Sequence, residues 1–220
     1  MKYLLIAACA LAPVLLACSK SEADPAIAAD SGCSELVVMP ATAHAISPAQ
    51  VQRANVLFAQ NSLDLNRVRY VRFWHDSVQT YYPPYAPLVT DHVSVDEYAN
   101  GLRIFTNQIN YAFKGGVLYY TAGTLTRGTQ LNAQPALRVP QLRTLFFAAV
   151  AAFDPSNLGL ATNCAEAEFG YYNLNTAGNT TENLVKAWKV AVKGMAYPFA
   201  FFEDNGGRLI YYDNGIRTFR

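Results

Sequence analysis

The chain has 220 residues, of which 52% are hydrophobic and 15% are charged. This composition excludes a largely disordered protein, because disordered chains combine low hydrophobicity with a high net charge. The 17 basic and 16 acidic residues also provide no dense positive field of the kind that nucleic-acid-binding proteins carry, so we expect no nucleic-acid partner.

The N-terminus has the features of a bacterial export signal. Lys2 precedes an apolar run from Tyr3 to Leu16, which at about 14 residues is too short to span a membrane. The end of this run, Leu15-Leu16-Ala17-Cys18, resembles the lipobox of bacterial lipoproteins. That resemblance implies removal of residues 1–17 and attachment of lipid, such as palmitate, to Cys18. An ordinary secretory signal with an incidental cysteine is the alternative.

Residues 18–34 are predicted to tether the folded domain to a membrane. Ser19 to Gly32 is small, polar and rich in alanine, and a coil of about 14 such residues would span roughly 20 Å. Two or more acyl chains on Cys18 would hold the protein stably at the membrane. We therefore expect a lipid-anchored protein of the bacterial cell envelope. Ser19, in place of an aspartate, is compatible with the outer membrane.

The mature domain retains two cysteines, Cys33 and Cys164, because Cys9 lies in the signal and Cys18 is the lipidation site. In an oxidising compartment such a pair favours a disulfide. A bridge across a loop of this length would contribute about 4 to 5 kcal/mol in the chain-entropy model. Two free thiols are the alternative. A metal pair is disfavoured, since structural zinc takes four ligands, and we expect no metal or other cofactor.

The first predicted helix runs from Pro48 to Gln60. Ser47 and Gln50 form the pattern of a capping box, and proline is favoured at the first helical position. Asn61 is expected to end the helix. Its apolar inner side is predicted to carry Val51, Ala54, Leu57 and Phe58.

A strand is predicted from Arg67 to Trp74, ended by His75 and Asp76. Its arginines are interpreted as a solvated strand face, because a nucleic-acid surface would interleave stacking aromatics with a dense basic field. His75 beside Asp76 is a candidate general base, but adjacent strand residues point to opposite faces, which favours a surface histidine. The arginines in question are Arg67, Arg69 and Arg72.

The segment from Tyr81 to Pro87 contains three prolines, which exclude a central strand and favour an extended loop. Exposed aromatic residues on such a loop form a candidate binding surface. A loop folded over the core by its own aromatics is the alternative. The candidate binding residues are Tyr81, Tyr82, Pro83, Pro84 and Tyr85.

The clearest local pattern is a β-hairpin. From Gln108 to Lys114, large apolar residues occupy every second position, as in a strand with one buried face. Gly115 and Gly116 then tolerate the positive φ of a tight turn, and Val117 to Thr121 is rich in β-forming residues.

The second half also reads as a helix followed by strands. Val139 to Phe153 has apolar residues at helical spacing and ends before Asp154-Pro155. This repeated order suggests two related α+β units. The strands predicted after the helix are Ala165 to Asn173, Leu184 to Val192, Tyr197 to Glu203 and Arg208 to Asp213, with a turn at Asp204-Asn205-Gly206-Gly207.

Two runs resemble protease propeptide modules. Tyr98-Ala99-Asn100-Gly101-Leu102-Arg103-Ile104-Phe105, with the hairpin that follows it, resembles the fungalysin/thermolysin propeptide family. Val185-Lys186-Ala187-Trp188-Lys189-Val190, with the strands that follow it, is similar to the PepSY module of those propeptides. The resemblance implies an α+β fold of two cystatin-like units, each a helix packed on an antiparallel sheet, over residues 35–135 and 136–220.

In that family such regions assist the folding of a downstream protease domain and inhibit it. The chain ends at Arg220 without a His-Glu-x-x-His motif, so we expect any action on a protease to occur in trans. The prediction is a non-enzymatic envelope lipoprotein that binds a protease or an extended peptide. A structural or assembly lipoprotein that acts through protein contacts is one alternative, and a hydrolase with an unrecognised site is another.

Overall fold

The computed structural model describes residues 32–79, 87–127, 129–175 and 181–216. The predicted signal segment, Cys18 and all of the tether before residue 32 lie outside these residues. So does the candidate binding loop from Tyr81 to Tyr85. In the described part of the chain, no helix has the length and apolar character that crossing a membrane requires.

The described residues form nine strands, two α-helices and one 3₁₀ helix. In chain order these are β1 (Ser34–Val37), α1 (Pro48–Gln60), β2 (Val68–Val78), β3 (Leu88–Ala99), β4 (Leu102–Lys114), β5 (Val117–Ala122), α2 (Val139–Phe153), the 3₁₀ helix (Pro155–Thr162), β6 (Ala165–Asn173), β7 (Leu184–Val192), β8 (Phe199–Glu203) and β9 (Leu209–Asp213).

All nine strands belong to one sheet. The main path is β2-β3-β4-β6-β7-β8-β9, while β5 pairs with β4 and β1 pairs with β6. Neighbouring strands are antiparallel except at β6, which is parallel to both β1 and β4. These two strands share one edge of β6: β1 pairs with Ala165 to Glu168, and β4 pairs with Gly170 and Tyr171.

The prediction of two cystatin-like α+β units is therefore wrong. The protein is mostly β, only 21% helical, and the seven-strand path curls into a half-barrel. Local patterns predicted the helices and turns, but the pairing of β4 with β6 joins residues more than 60 positions apart, such as Arg103 and Gly170. Sequence periodicity carries no information about which edges of two distant strands meet.

Several local predictions are confirmed. Helix α1 begins with the Ser47 and Gln50 capping box and ends at Asn61, and α2 has the predicted bounds. The hairpin of β4 and β5 turns at Gly115 and Gly116, with φ of 56° and 85°. Other predictions need correction. Strand β2 continues through the predicted stop, β8 and β9 begin later than expected, and β1 and β3 were not predicted.

Two hydrophobic clusters hold the helices to the sheet. Ala54, Leu57 and Phe58 of α1 pack on β2, β3 and β4. Residues of α2, among them Phe146 and Val150, pack on β6, β7 and β8.

Both helices lie on the same face of the sheet. Val95 of β3 packs in the α1 cluster, and Glu97, two residues further, points to the same face. Glu97 pairs with Ile104, which pairs with Tyr171 of β6. Tyr171 shares its face with Ala165, which packs in the α2 cluster. We call the opposite side of the sheet the open face.

One turn residue has a structural role that the sequence did not reveal. Asp204, between β8 and β9, is fully buried and accepts hydrogen bonds from the backbone N–H groups of Ala136 and Leu137 and from Trp188 Nε1. Lys186 Nζ lies 3.1 Å from its other carboxylate oxygen. This carboxylate joins the segment before α2 to the sheet.

Candidate functional site

A groove of about 200 Å³ lies where β1 and β4 meet along β6. Its walls are mainly apolar, because β1 and the residues after it contribute aliphatic side chains and β6 and β7 contribute aromatic rings. Two charged side chains, Arg103 and Glu168, also line it. The principal apolar lining residues are Leu36, Val38, Met39, Leu102, Phe169 and Trp188.

Strand β1 forms one wall and is held in place by several contacts. The N–H of Ala165 donates to the carbonyl of Cys33 at 3.0 Å, and the two cysteine Sγ atoms lie 2.07 Å apart, which is disulfide distance. Glu35 forms an ion pair with Lys193 at 2.6 Å. Beyond the strand, Tyr98 Oη donates to the carbonyl of Met39 at 3.0 Å. These contacts fix the position of the wall.

The rim of the groove is apolar and exposed. Leu36 is 55% exposed and Val38 is 76% exposed. Within the described ranges, β1 pairs with β6 alone, so its other edge carries no strand. An unpaired edge presents backbone N–H and C=O groups to solvent. Strand β1 thus lines the apolar groove and also has a free edge.

A chain of four charged side chains runs along the open face and ends at the groove. Arg69 Nη1 lies 3.2 Å from Asp96 Oδ2, and Arg103 Nη2 lies 3.0 Å from the same oxygen. Arg103 Nη1 lies 3.8 Å from Glu168 Oε2. Asp96 is almost fully buried, so its negative charge must be compensated, and the two guanidinium groups do this.

The last pair of this chain is incompletely hydrogen-bonded. A separation of 3.8 Å between Arg103 Nη1 and Glu168 Oε2 is too long for a hydrogen bond. Among the described residues, the buried Nε of Arg103 has no partner. Burial raises the pKa of the Glu168 carboxyl, and the charges of Arg103 and Lys189 offset this effect only in part.

The sequence suggested that Arg67, Arg69 and Arg72 form a solvated strand face, but two of these three arginines pair with buried carboxylates. Arg67 pairs with the fully buried carboxylate of Glu97, which also accepts a hydrogen bond from Thr126 Oγ1 at 2.7 Å. Arg69 pairs with buried Asp96. Arg72 is exposed and lies over the ring of Trp74.

His75, the candidate general base, pairs with a residue other than Asp76. Its Nδ1 lies 2.9 Å from Asp91 Oδ1, and Arg53 Nη2 donates to the other oxygen of Asp91 at 2.7 Å. Burial acts to raise the pKa of Asp91, but the hydrogen bonds and charges of Arg53 and His75 outweigh it, and the pKa is lowered. The arrangement is an ion cluster that joins α1 to β2 and β3.

Besides His75, the predicted site residues that fall within the described part of the chain are Cys33 and Cys164. Cys33, Glu35 and Cys164 are the one group of three potential metal ligands that the described part of the chain brings together. Because the two sulfur atoms are at bonding distance, they are not available as thiolate ligands. Cys18 and the loop from Tyr81 to Tyr85 lie outside the described residues, and their roles stay predictions.

Sequence reasoning missed the groove. Its walls come from β1, β4, β6 and β7, which are far apart in the chain, and the short β1 has no clear periodicity. One signal was available: Glu166 and Glu168 alternate with alanine and phenylalanine in β6, and acidic residues within an apolar strand need partners.

No protein-family model matches the chain, and no curated protein is significantly similar to it in sequence.

Proposed function

We propose that this protein is a non-enzymatic, lipid-anchored protein of the bacterial cell envelope that binds an extended segment of another protein. The observation that carries the proposal is that β1 lines the apolar groove and also has an edge that pairs with no strand among the described residues. The lipobox-like residues before Cys18 support the envelope location.

An extended peptide matches this surface in two ways. Its backbone can pair with the free edge of β1, as in strand addition, where backbone hydrogen bonds supply affinity and pockets for side chains supply specificity. The exposed side chains of Leu36 and Val38 would be covered by such a strand. Exposed apolar side chains that are grouped next to a groove are typical of interaction sites.

The size of the groove favours a side chain over a free small molecule. Pockets for drug-sized ligands span about 300 to 1,000 Å³, whereas this groove has about 200 Å³. One apolar or polar side chain of an added strand would enter it. An extended segment with such a side chain could belong to an envelope protease or to another envelope protein.

The test uses the soluble mature domain with Cys18→Ser and fluorescent peptides of alternating valine and threonine, acetylated and amidated at their ends. We expect binding that is weakened at least tenfold by Val38→Asp, because a charge on the rim must be desolvated. Val56→Asp is the matched control, since Val56 is exposed on α1.

Backbone pairing has its own readout in the same assay. Two peptides are compared, one N-methylated at the odd and one at the even peptide bonds, so that each lacks the N–H donors of one strand edge. We expect binding to be abolished in the peptide whose methylated edge would face β1. The proposal fails if no peptide binds, or if Val38→Asp and Val56→Asp have the same effect.

A further inference from the structure

The bridge between Cys33 and Cys164 joins the beginning of β1 to the beginning of β6. Cys33 immediately precedes β1, and Cys164 immediately precedes β6. Cys33 is exposed and Cys164 is partly exposed, so an external thiol can reach the two sulfur atoms. The bridge is therefore an accessible covalent link between one wall of the groove and the rest of the sheet.

The other contacts of β1 hold it weakly. Among the described residues, β1 pairs with β6 alone, over four residues. None of its side chains is buried, and Glu35 and Leu36 are exposed. The ion pair of Glu35 with Lys193 joins two half-exposed side chains, and such pairs contribute little to stability. Ordering the backbone of four residues costs conformational entropy, which a few hydrogen bonds of modest net strength offset only in part.

The chain that follows β1 is anchored independently of the bridge. Tyr98 Oη donates to the carbonyl of Met39 at 3.0 Å, and the N–H of Ala45 donates to the carbonyl of Tyr70 at 2.8 Å. The hydrophobic clusters that hold α1 and α2 include no residue from 33–38. Segments with few buried apolar contacts open locally while the rest of the fold persists. Detachment of β1 would thus be confined to residues 33–38.

We propose that the bridge is a redox-sensitive switch: its reduction releases β1 and removes one wall of the groove. Leu36 and Val38 line the groove, so they leave it together with the strand edge to which an extended segment would pair. The oxidised protein binds such a segment, and the reduced protein does not. The inference rests on the proposed function, because it names the regulation of the same binding site.

The reductant is an external dithiol, such as the active-site dithiol of a thiol–disulfide oxidoreductase. Its thiolate attacks Sγ of Cys33, the more exposed of the two cysteines, and forms a mixed disulfide. Cys164 leaves as a thiolate and takes up a proton. The second thiol of the reductant then attacks the mixed disulfide and releases Cys33 as a thiol. The dithiol becomes a disulfide, and its two electrons and two protons pass to the two cysteines.

The first measurement is amide hydrogen exchange of the mature Cys18→Ser domain, with and without dithiothreitol, followed by mass spectrometry. We expect exchange in β1 to accelerate at least tenfold on reduction, because its amides lose the pairing with β6. Strand β3, which lies between β2 and β4, is the internal control and should be unchanged. Cys33 and Cys164 are the only cysteines of this domain, so the reductant has no other disulfide to act on.

Binding is the second measurement, with the fluorescent peptides of alternating valine and threonine. We expect the oxidised domain to bind at least tenfold more tightly than the reduced domain. The double variant Cys33→Ser/Cys164→Ser should bind as weakly as the reduced domain, and dithiothreitol should leave its affinity unchanged.

The outcomes separate the two proposals. Failure of the oxidised domain to bind any peptide overturns the proposed function, whatever reduction does to the exchange of β1. If the oxidised domain binds, the groove stands and the switch is tested alone. It is overturned by equal affinities of the oxidised and reduced domains, by unchanged exchange in β1, or by equal acceleration in β1 and β3, which would indicate a general loss of stability.

Discussion

Gly170 of β6 lies directly against the ring of Phe105 of β4. A Cβ atom at Gly170 would come within 2.7 Å of Phe105 Cε2 and within 2.5 Å of the carbonyl oxygen of Arg103. These contacts occur where β4 pairs with β6. The absence of a side chain at this position therefore permits the junction that makes the sheet continuous.

Gly170→Ala is expected to destabilise the protein by about 1 to 3 kcal/mol, the usual cost of forcing an extra carbon into a close-packed site. The measurement is urea unfolding followed by tryptophan fluorescence. Gly159→Ala is the control, because a Cβ there meets no atom within 4 Å. Equal unfolding midpoints for the two variants would show that the junction does not depend on Gly170.

Asp96→Ala should be more damaging, because it leaves Arg69 and Arg103 without their shared carboxylate. Removal of one partner from a buried ion pair costs about 3 to 5 kcal/mol. Asp76→Ala, at an exposed position of β2, serves as the control in the same urea experiment. A loss below about 1 kcal/mol for Asp96→Ala would mean that the two guanidinium groups find other partners.

The bridge between Cys33 and Cys164 should contribute strongly to stability. It closes a loop with a sequence separation of 131, and loops of this size correspond to about 4 to 5 kcal/mol in the chain-entropy model. We expect the double variant Cys33→Ser/Cys164→Ser to lose stability by this order, as measured by urea unfolding. A reducing agent should lower the stability of the parent domain and leave that of the double variant unchanged. Identical unfolding curves for the oxidised parent and the double variant would contradict this.

The stability of the domain should depend on pH through Glu168. Burial raises the pKa of this carboxyl in the folded state, so its stabilising contribution is present below the pKa of the unfolded chain. That contribution is lost as the pH rises through the folded-state pKa, because the unfolded state releases its proton first.

Glu168→Gln is therefore expected to unfold at a higher temperature than the parent domain at pH 7, with the difference becoming smaller as the pH falls to about 3.5, below the ordinary glutamate pKa. Thermal unfolding at several pH values measures this difference. A difference that grows as the pH falls would show that the Glu168 carboxylate stabilises the fold.

The sequence predicted those elements whose signals lie close together in the chain. The cap at Ser47 and the turn at Gly115 and Gly116 are each specified within a few residues. Strand β3 escaped detection because its buried positions include Asp91 and Glu97. Acidic residues normally indicate exposure, and here their partners come from other elements.

The candidate site was harder to predict for the same reason. Arg103 lies in a strand that the sequence partly indicated, but its contact with Glu168 requires β4 and β6 to meet. The apolar wall depends on β1, a strand of four residues, which is too short for an alternating pattern to be recognised. The contact between Arg103 and Glu168 and the apolar wall both depend on pairing between distant strands, which local sequence propensity does not encode.

The parallel pairing of β1 with β6 has a consequence for how the protein reaches its folded state. Ser34 leaves the ribosome early, whereas its partner Ala165 follows more than a hundred residues later. Contacts at such separation form slowly, because loop-closure entropy is lost before they stabilise the chain. The pairing of β1 with β6 would thus be among the last contacts to form, and a chain interrupted before β6 would lack it entirely.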